Sequence, residues 1–178
     1  MAKRVSLLMV YTGDGKGKTS AAMGLALRCY GHGGHCAVAQ FIKAPEVETG
    51  ERRAAVSLGM EWRNFGSGFT WMQADDTANR EACRLGWETA KEWMQSGRFD
   101  MVVLDEFTYP LSLGYLEVSA VCLWLADHKG LEHFPHVVVT GRNAPVPLLA
   151  VADLVSEIVE VKHHWRTART KAQAMVEY

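Results

Sequence analysis

The sequence predicts an α/β fold of three layers, a mostly parallel sheet with helices on both faces. Short apolar, β-branched runs alternate along the chain with segments of helical periodicity, which implies βαβ units. The first run leads straight into a loop rich in glycine and lysine, and that loop leads into an Ala-rich helical segment. No internal repeat, low-complexity run or interdomain linker interrupts the 178 residues, so a single domain over 1–178 is expected.

Strands are predicted at Val5–Tyr11, Cys36–Ile42, Met60–Asn64, Met101–Leu104, His136–Thr140 and Leu154–Val161. Between them, helices are predicted at Lys18–Tyr30, Gly50–Leu58, Thr77–Ser96, Glu117–His128 and Val146–Val151. In the third helix Cys83, Trp87, Ala90 and Met94 recur at helical spacing and make one apolar face. Asp75-Asp76-Thr77 offers caps for its start and Gly97 a stop. Val118, Val121, Cys122 and Leu125 make the matching face of the fourth helix. The segments Lys43–Thr49, Phe65–Asp76, Phe107–Leu116 and Lys162–Tyr178 show no regular period. The first three leave strands at their carboxyl ends, where open parallel sheets bind ligands.

Tyr11-Thr12-Gly13-Asp14-Gly15-Lys16-Gly17-Lys18-Thr19-Ser20 is the loop between the first strand and first helix. Strand, glycine loop and helix in that order make a phosphate-binding loop. Its backbone N–H groups converge on an anion, the helix N-terminus adds its positive end, Lys18 supplies a cation and Thr19 a hydroxyl for Mg²⁺. The glycine spacing is irregular, because Thr12 stands where the usual pattern has its first glycine. Met101–Leu104 ends in Asp105-Glu106, two acids suited to a second Mg²⁺-binding element, with solvated acids as the plain alternative. Arg142, after the fifth strand, and Lys43, after the second, are cations within range of phosphate or simply surface charges. Phe69 and Trp71 in Gly66-Ser67-Gly68-Phe69-Thr70-Trp71 fall on one side of an extended segment, as a small satellite core or a ligand platform. His32, His35 and Cys36 have poor spacing for a closed metal site and read as a helix-to-strand turn.

Composition narrows the classes. A formal net charge of −1 supplies no basic field for nucleic acid. The four cysteines are scattered without C-x-x-C spacing and read as reduced thiols of a cytoplasmic protein. The N-terminal apolar run is too short for a membrane span or a signal peptide.

Taken together, the motifs resemble the P-loop class of ATP:corrinoid (cob(I)alamin or cob(I)yrinic acid a,c-diamide) adenosyltransferases. The resemblance rests on the phosphate loop, Gln40-Phe41-Ile42-Lys43, Gly68-Phe69-Thr70-Trp71, Val102–Glu106, Val139-Thr140-Gly141-Arg142, Ala152–Glu157 and Val161-Lys162-His163. These segments cover nearly the whole chain in order. The resemblance implies a P-loop NTPase (RecA-like) fold, with ATP held in reverse so that its 5′ carbon faces the corrinoid. It implies that cobalt(I) attacks that carbon and inorganic triphosphate leaves. It places Gly13, Asp14, Gly15, Lys16, Gly17, Lys18, Thr19, Ser20 and Arg142 around the triphosphate, with Lys18, Glu106 and Arg142 catalytic. Thr19, Asp105 and Glu106 would hold Mg²⁺. Phe69 and Trp71 would pack under the corrin ring and displace its lower axial ligand. The family often has Asn in place of Asp14. Some relatives carry an N-terminal helical extension over the corrinoid; here the implied site is open, or covered by Lys162–Tyr178 or a second subunit. A homodimer and a flavodoxin-type or other flavin reductant are the implied partners. The competing reading is an ordinary P-loop ATPase or kinase acting on the γ-phosphate; a third is a non-catalytic carrier.

Overall fold

Among the described residues, six strands, all parallel, form one sheet in the order β3-β2-β4-β5-β1-β6. The structure is a computed structural model and describes residues 5–44, 46, 48–67 and 76–176. The strands are β1 (Leu8–Thr12), β2 (Cys36–Phe41), β3 (Glu61–Phe65), β4 (Met101–Asp105), β5 (His136–Thr140) and β6 (Leu154–Glu157). The helices are α1 (Lys18–Gly31), α2 (Gly50–Ser57), α3 (Thr77–Gln95), α4 (Thr108–Ser112), α5 (Val118–His128), α6 (Val146–Val151) and α7 (His164–Ala168). The α/β class and the parallel sheet are those expected.

Strand periodicity sorts the core into two layers. Met9, Val38, Val103 and Val138 face α1 and α2, where Ala22, Ala26 and Ala55 let the helices approach closely. Val10, Ala39, Leu104 and Val139 face the other way, toward Cys83, Trp87, Ala90 and Met94 of α3 and Val121, Cys122 and Leu125 of α5. Both predicted helix stripes therefore lie in the core. All six residues of β2 and all five of β4 are buried, as central parallel strands require.

Four local expectations change. The segment after Glu106 contains the short helix α4, because Phe107, Leu111, Tyr115 and Leu116 are drawn into the core. The stretch after Lys162 contains α7, whose first turn is capped by His163 Nδ1 accepting from Trp165 N. Asp76 sits at the start of α3 without capping it by its side chain; its carboxylate instead lies 3.7 Å from Arg80. Asp75 lies outside the described residues. Finally, β6 ends at Glu157 rather than Val161, as the chain turns to meet the phosphate loop.

Asp153 fastens that edge. Its Oδ2 accepts from Leu8 N at 2.8 Å and its Oδ1 from Lys129 Nζ at 2.8 Å. Burial opposes its ionisation, but the Leu8 N–H and the Lys129 ammonium outweigh burial and hold its carboxyl below the ordinary value. A depressed folded pKa contributes stability above about pH 4 that is lost as pH falls through the folded value. Asp153→Ala should lower stability by about 1–2 kcal/mol near neutral pH. Thermal unfolding should show this difference shrinking as the pH is lowered below 4; a constant difference would mean that the charge is irrelevant.

Candidate active site at the phosphate loop

The loop Gly13–Gly17 leaves β1 at the carboxyl end of the sheet and turns into α1. Gly17 caps the helix at φ 115°, a left-handed conformation that favours glycine, and Gly13 has φ 101°. No side chain caps α1 and no acid stands in its first turn, so nothing there neutralises the positive end of the helix dipole. The irregular glycine spacing has a structural cause. Gly15 N donates to Ile158 O at 2.7 Å and Ile158 N to Thr12 O at 2.8 Å, so the exit of β6 lies against the loop. A Cβ at Gly13 would stand 2.5 Å from Ile158 O, and one at Gly15 2.7 Å from both Ile158 O and Val159 C.

Lys18 is only 7% exposed, and its ammonium donates to Gly13 O and Gly15 O, both at 2.7 Å. Burial lowers its pKa; Glu106 opposes that and Arg142 adds to it. Thr19 Oγ1 donates to Asp105 Oδ1 at 2.8 Å. Asp105 is fully buried and also accepts from Thr140 Oγ1 at 2.7 Å and, on Oδ2, from Gln40 Nε2 at 2.8 Å. Its neighbour Glu106 adopts φ 57°, a costly conformation outside glycine that clusters at functional sites. Burial and then the Asp105 charge push the Glu106 carboxyl above its usual range, while Lys18, Lys43 and Arg142 pull it back. Its Oε2 is buried and has no hydrogen-bond partner.

Lys18, Thr19 and Glu106 border a cleft of about 520 Å³. Lys16, Lys18, Lys43 and Arg142 supply four cations to it, against the acids Glu51 and Glu106. Gly15, Gly17, Thr19 and Ser20 also line it. Arg142 is set there by Thr108 Oγ1, which donates to its carbonyl at 2.6 Å. Asp14 is exposed, and neither it nor Gly13 lines the cleft. Phe69 and Trp71 lie outside the described residues. Sequence reasoning missed Tyr109, Met23 and Glu51 as wall residues. Tyr109 was open to discovery, since it follows the acids on a segment leaving the same end of the sheet. Among the described residues no three His, Cys, Asp or Glu side chains form a metal cluster, and no helix is long and apolar enough to cross a membrane.

A family model described as ATP:corrinoid adenosyltransferase BtuR/CobO/CobP matches residues 4–178. The chain belongs to this family of adenosyltransferases. Among its relatives, the Corrinoid adenosyltransferase of a Sinorhizobium species is 41% identical over 97% of this chain and 80% of that protein. The Corrinoid adenosyltransferase of Escherichia coli K12 is 41% identical over 97% of this chain and 85% of that protein. Corrinoid adenosyltransferase CobA of Salmonella typhimurium is 39% identical, again over 97% and 85%. A solved structure of EssC (ATPases 2 and 3) from Geobacillus thermodenitrificans matches 98% of this chain and 36% of that one. Its TM-score is 0.50 at 12% identity, a likeness of fold alone. In this adenosyltransferase, β5 separates the phosphate-loop strand β1 from the acid-bearing strand β4.

Proposed function

We propose that this protein transfers the 5′-deoxyadenosyl group of ATP to cobalt(I) of a corrinoid, in cobalamin biosynthesis or salvage. The reading is carried by identity of 41% over 97% of the chain to proteins named corrinoid adenosyltransferases. The cleft suits the chemistry. The cobalt(I) electron pair forms the Co–C5′ bond, and the C5′–O bond electrons leave with inorganic triphosphate. Negative charge then grows on the phosphate oxygens, where Lys16, Lys18, Arg142 and the N-terminal N–H groups of α1 would stabilise it.

Thr19 and Glu106, with Asp105 behind Thr19, make a set of hard oxygen donors that fits Mg²⁺. The orphaned Glu106 Oε2 is the atom such a cation would satisfy. When bound, Mg²⁺ would neutralise charge on the triphosphate. By the family resemblance, Phe69 and Trp71 would pack under the corrin ring as a dry floor and displace its lower axial ligand, making cobalt(II) easier to reduce. A one-electron donor, such as a flavodoxin-type or other flavin protein, would supply that electron. A homodimer working in the cytoplasm completes the reading.

Two experiments test it. Anaerobic incubation with Mg-ATP and chemically reduced cob(I)alamin should give adenosylcobalamin and an equal amount of triphosphate. Orthophosphate without a Co–C bond would replace this reading with an ordinary ATPase. The double variant Phe69→Ala, Trp71→Ala should lose turnover with cob(II)alamin while binding ATP as before; normal turnover would end the aromatic-floor role.

A further inference from the structure

Three strands present a polar row on the face toward α1, directly above the apolar row Val38–Val103–Val138. The row is Gln40 at the end of β2, Asp105 at the end of β4 and Thr140 at the end of β5, and each is fully buried. Gln40 and Asp105 are register partners. We propose that Gln40 and Thr140 are positioning residues for metal–triphosphate binding: through Asp105 and the Glu106 backbone, they aim the Thr19 hydroxyl and the Glu106 carboxylate into the cleft. The proposal rests on the reading of this cleft as the metal–triphosphate site.

A buried amide inside an otherwise apolar strand is costly unless its hydrogen bonds are made. Gln40 makes one, from Nε2 to Asp105 Oδ2 at 2.8 Å, and its Oε1 has no partner. A carboxylate only accepts, so the amide must turn its nitrogen to Asp105. Retaining a half-satisfied glutamine there serves Asp105 rather than the core. Asp105 Oδ1 in turn accepts the one hydrogen bond that the Thr19 hydroxyl can donate, at 2.8 Å. That leaves the Thr19 oxygen able only to accept on its cleft side, the state a metal ligand needs.

Thr140 joins the two acids. Its hydroxyl donates to Asp105 Oδ1 at 2.7 Å and accepts from Glu106 N at 2.9 Å. The second bond pins the backbone of a residue held at φ 57°, and with it the direction in which the Glu106 side chain leaves the strand. Neither Gln40 nor Thr140 lines the cleft, so both act through other residues.

The test measures ATP binding by titration calorimetry over a series of Mg²⁺ concentrations, with no corrinoid present. Thr140→Val and Gln40→Met keep volume and remove the hydrogen bonds. Each should raise the half-saturating Mg²⁺ concentration about tenfold, the size seen when partners of metal ligands are lost. ATP affinity without metal should stay within about twofold, and Thr140→Ser should bring the metal dependence back to the parent value. Thermal unfolding of each variant reports folding; if Thr140→Val fails to fold, Gln40→Met and Thr140→Ser carry the test. Folded variants with parental metal dependence would overturn the proposal, as would a Thr140→Ser variant as impaired as Thr140→Val. Because corrinoid is absent, failure of adenosyl transfer leaves this result standing. A parent protein whose ATP binding ignores Mg²⁺ would overturn both the proposal and the cleft reading beneath it.

Discussion

Replacing Lys18 by alanine should slow adenosyl transfer about a thousandfold at saturating Mg-ATP and cob(I)alamin. Lys18 is the most enclosed cation of the cleft, and it already spans the loop by donating to Gly13 O and Gly15 O. Two of its three N–H groups are so committed, and the third remains for a phosphate oxygen. Its contribution grows with the charge on the leaving triphosphate, so the loss should fall mainly on kcat. Lys18→Arg should not rescue it, because a planar guanidinium cannot reproduce a compact ammonium between two carbonyls. Triphosphate release measures the rate, and circular dichroism shows whether the fold survives. Turnover within tenfold of the parent in a folded Lys18→Ala protein would remove Lys18 from the catalytic set.

Gly15→Ala should weaken ATP binding more than tenfold and lower stability by about 1–3 kcal/mol. The added Cβ would stand 2.7 Å from Ile158 O and Val159 C, both backbone atoms that no rotamer change can move. Loop or β6 exit must shift, and either movement strains the Gly15–Ile158 hydrogen bond. Gly24→Ala is the control: it lies inside α1 with nothing within 4 Å of the new methyl. There alanine should be neutral or stabilising by up to about 1 kcal/mol. Calorimetry with ATP and thermal unfolding on both variants separate a steric effect from a general intolerance of alanine. Equal behaviour of the two would refute the packing argument.

The contrast between these glycines shows where sequence reading succeeds. Strand and helix positions were legible because their signal is local: β2 is apolar from Cys36 to Phe41 apart from Gln40, and Cys83, Trp87, Ala90 and Met94 repeat at helical spacing. The phosphate loop and Asp105-Glu106 were legible for the same reason, since each is a contiguous motif at a strand end. The cause of the glycine spacing was not, because the partner of Gly15 stands at Ile158, far along the chain. Nor was the burial of Phe107 and Leu111, which turned an apparently irregular segment into α4. Gln40 stood in a matched segment, but its bond to Asp105 depends on strand order, which periodicity does not encode. Asp76 offered a cap by type, and Arg80 engaged its carboxylate instead.

The sheet order also bears on how this molecule comes into being on the ribosome. The phosphate loop precedes β5 and β6 in the sequence, yet β1 is flanked by both strands, and the loop glycines rest on Ile158 and Val159. Domains emerge from their N-terminal end, and pairings across long sequence separations form late. A nascent chain would therefore expose its ATP-binding motif before β5 and β6 are made, without being able to grip ATP. It would remain nucleotide-blind until β6 arrived to press the loop into shape.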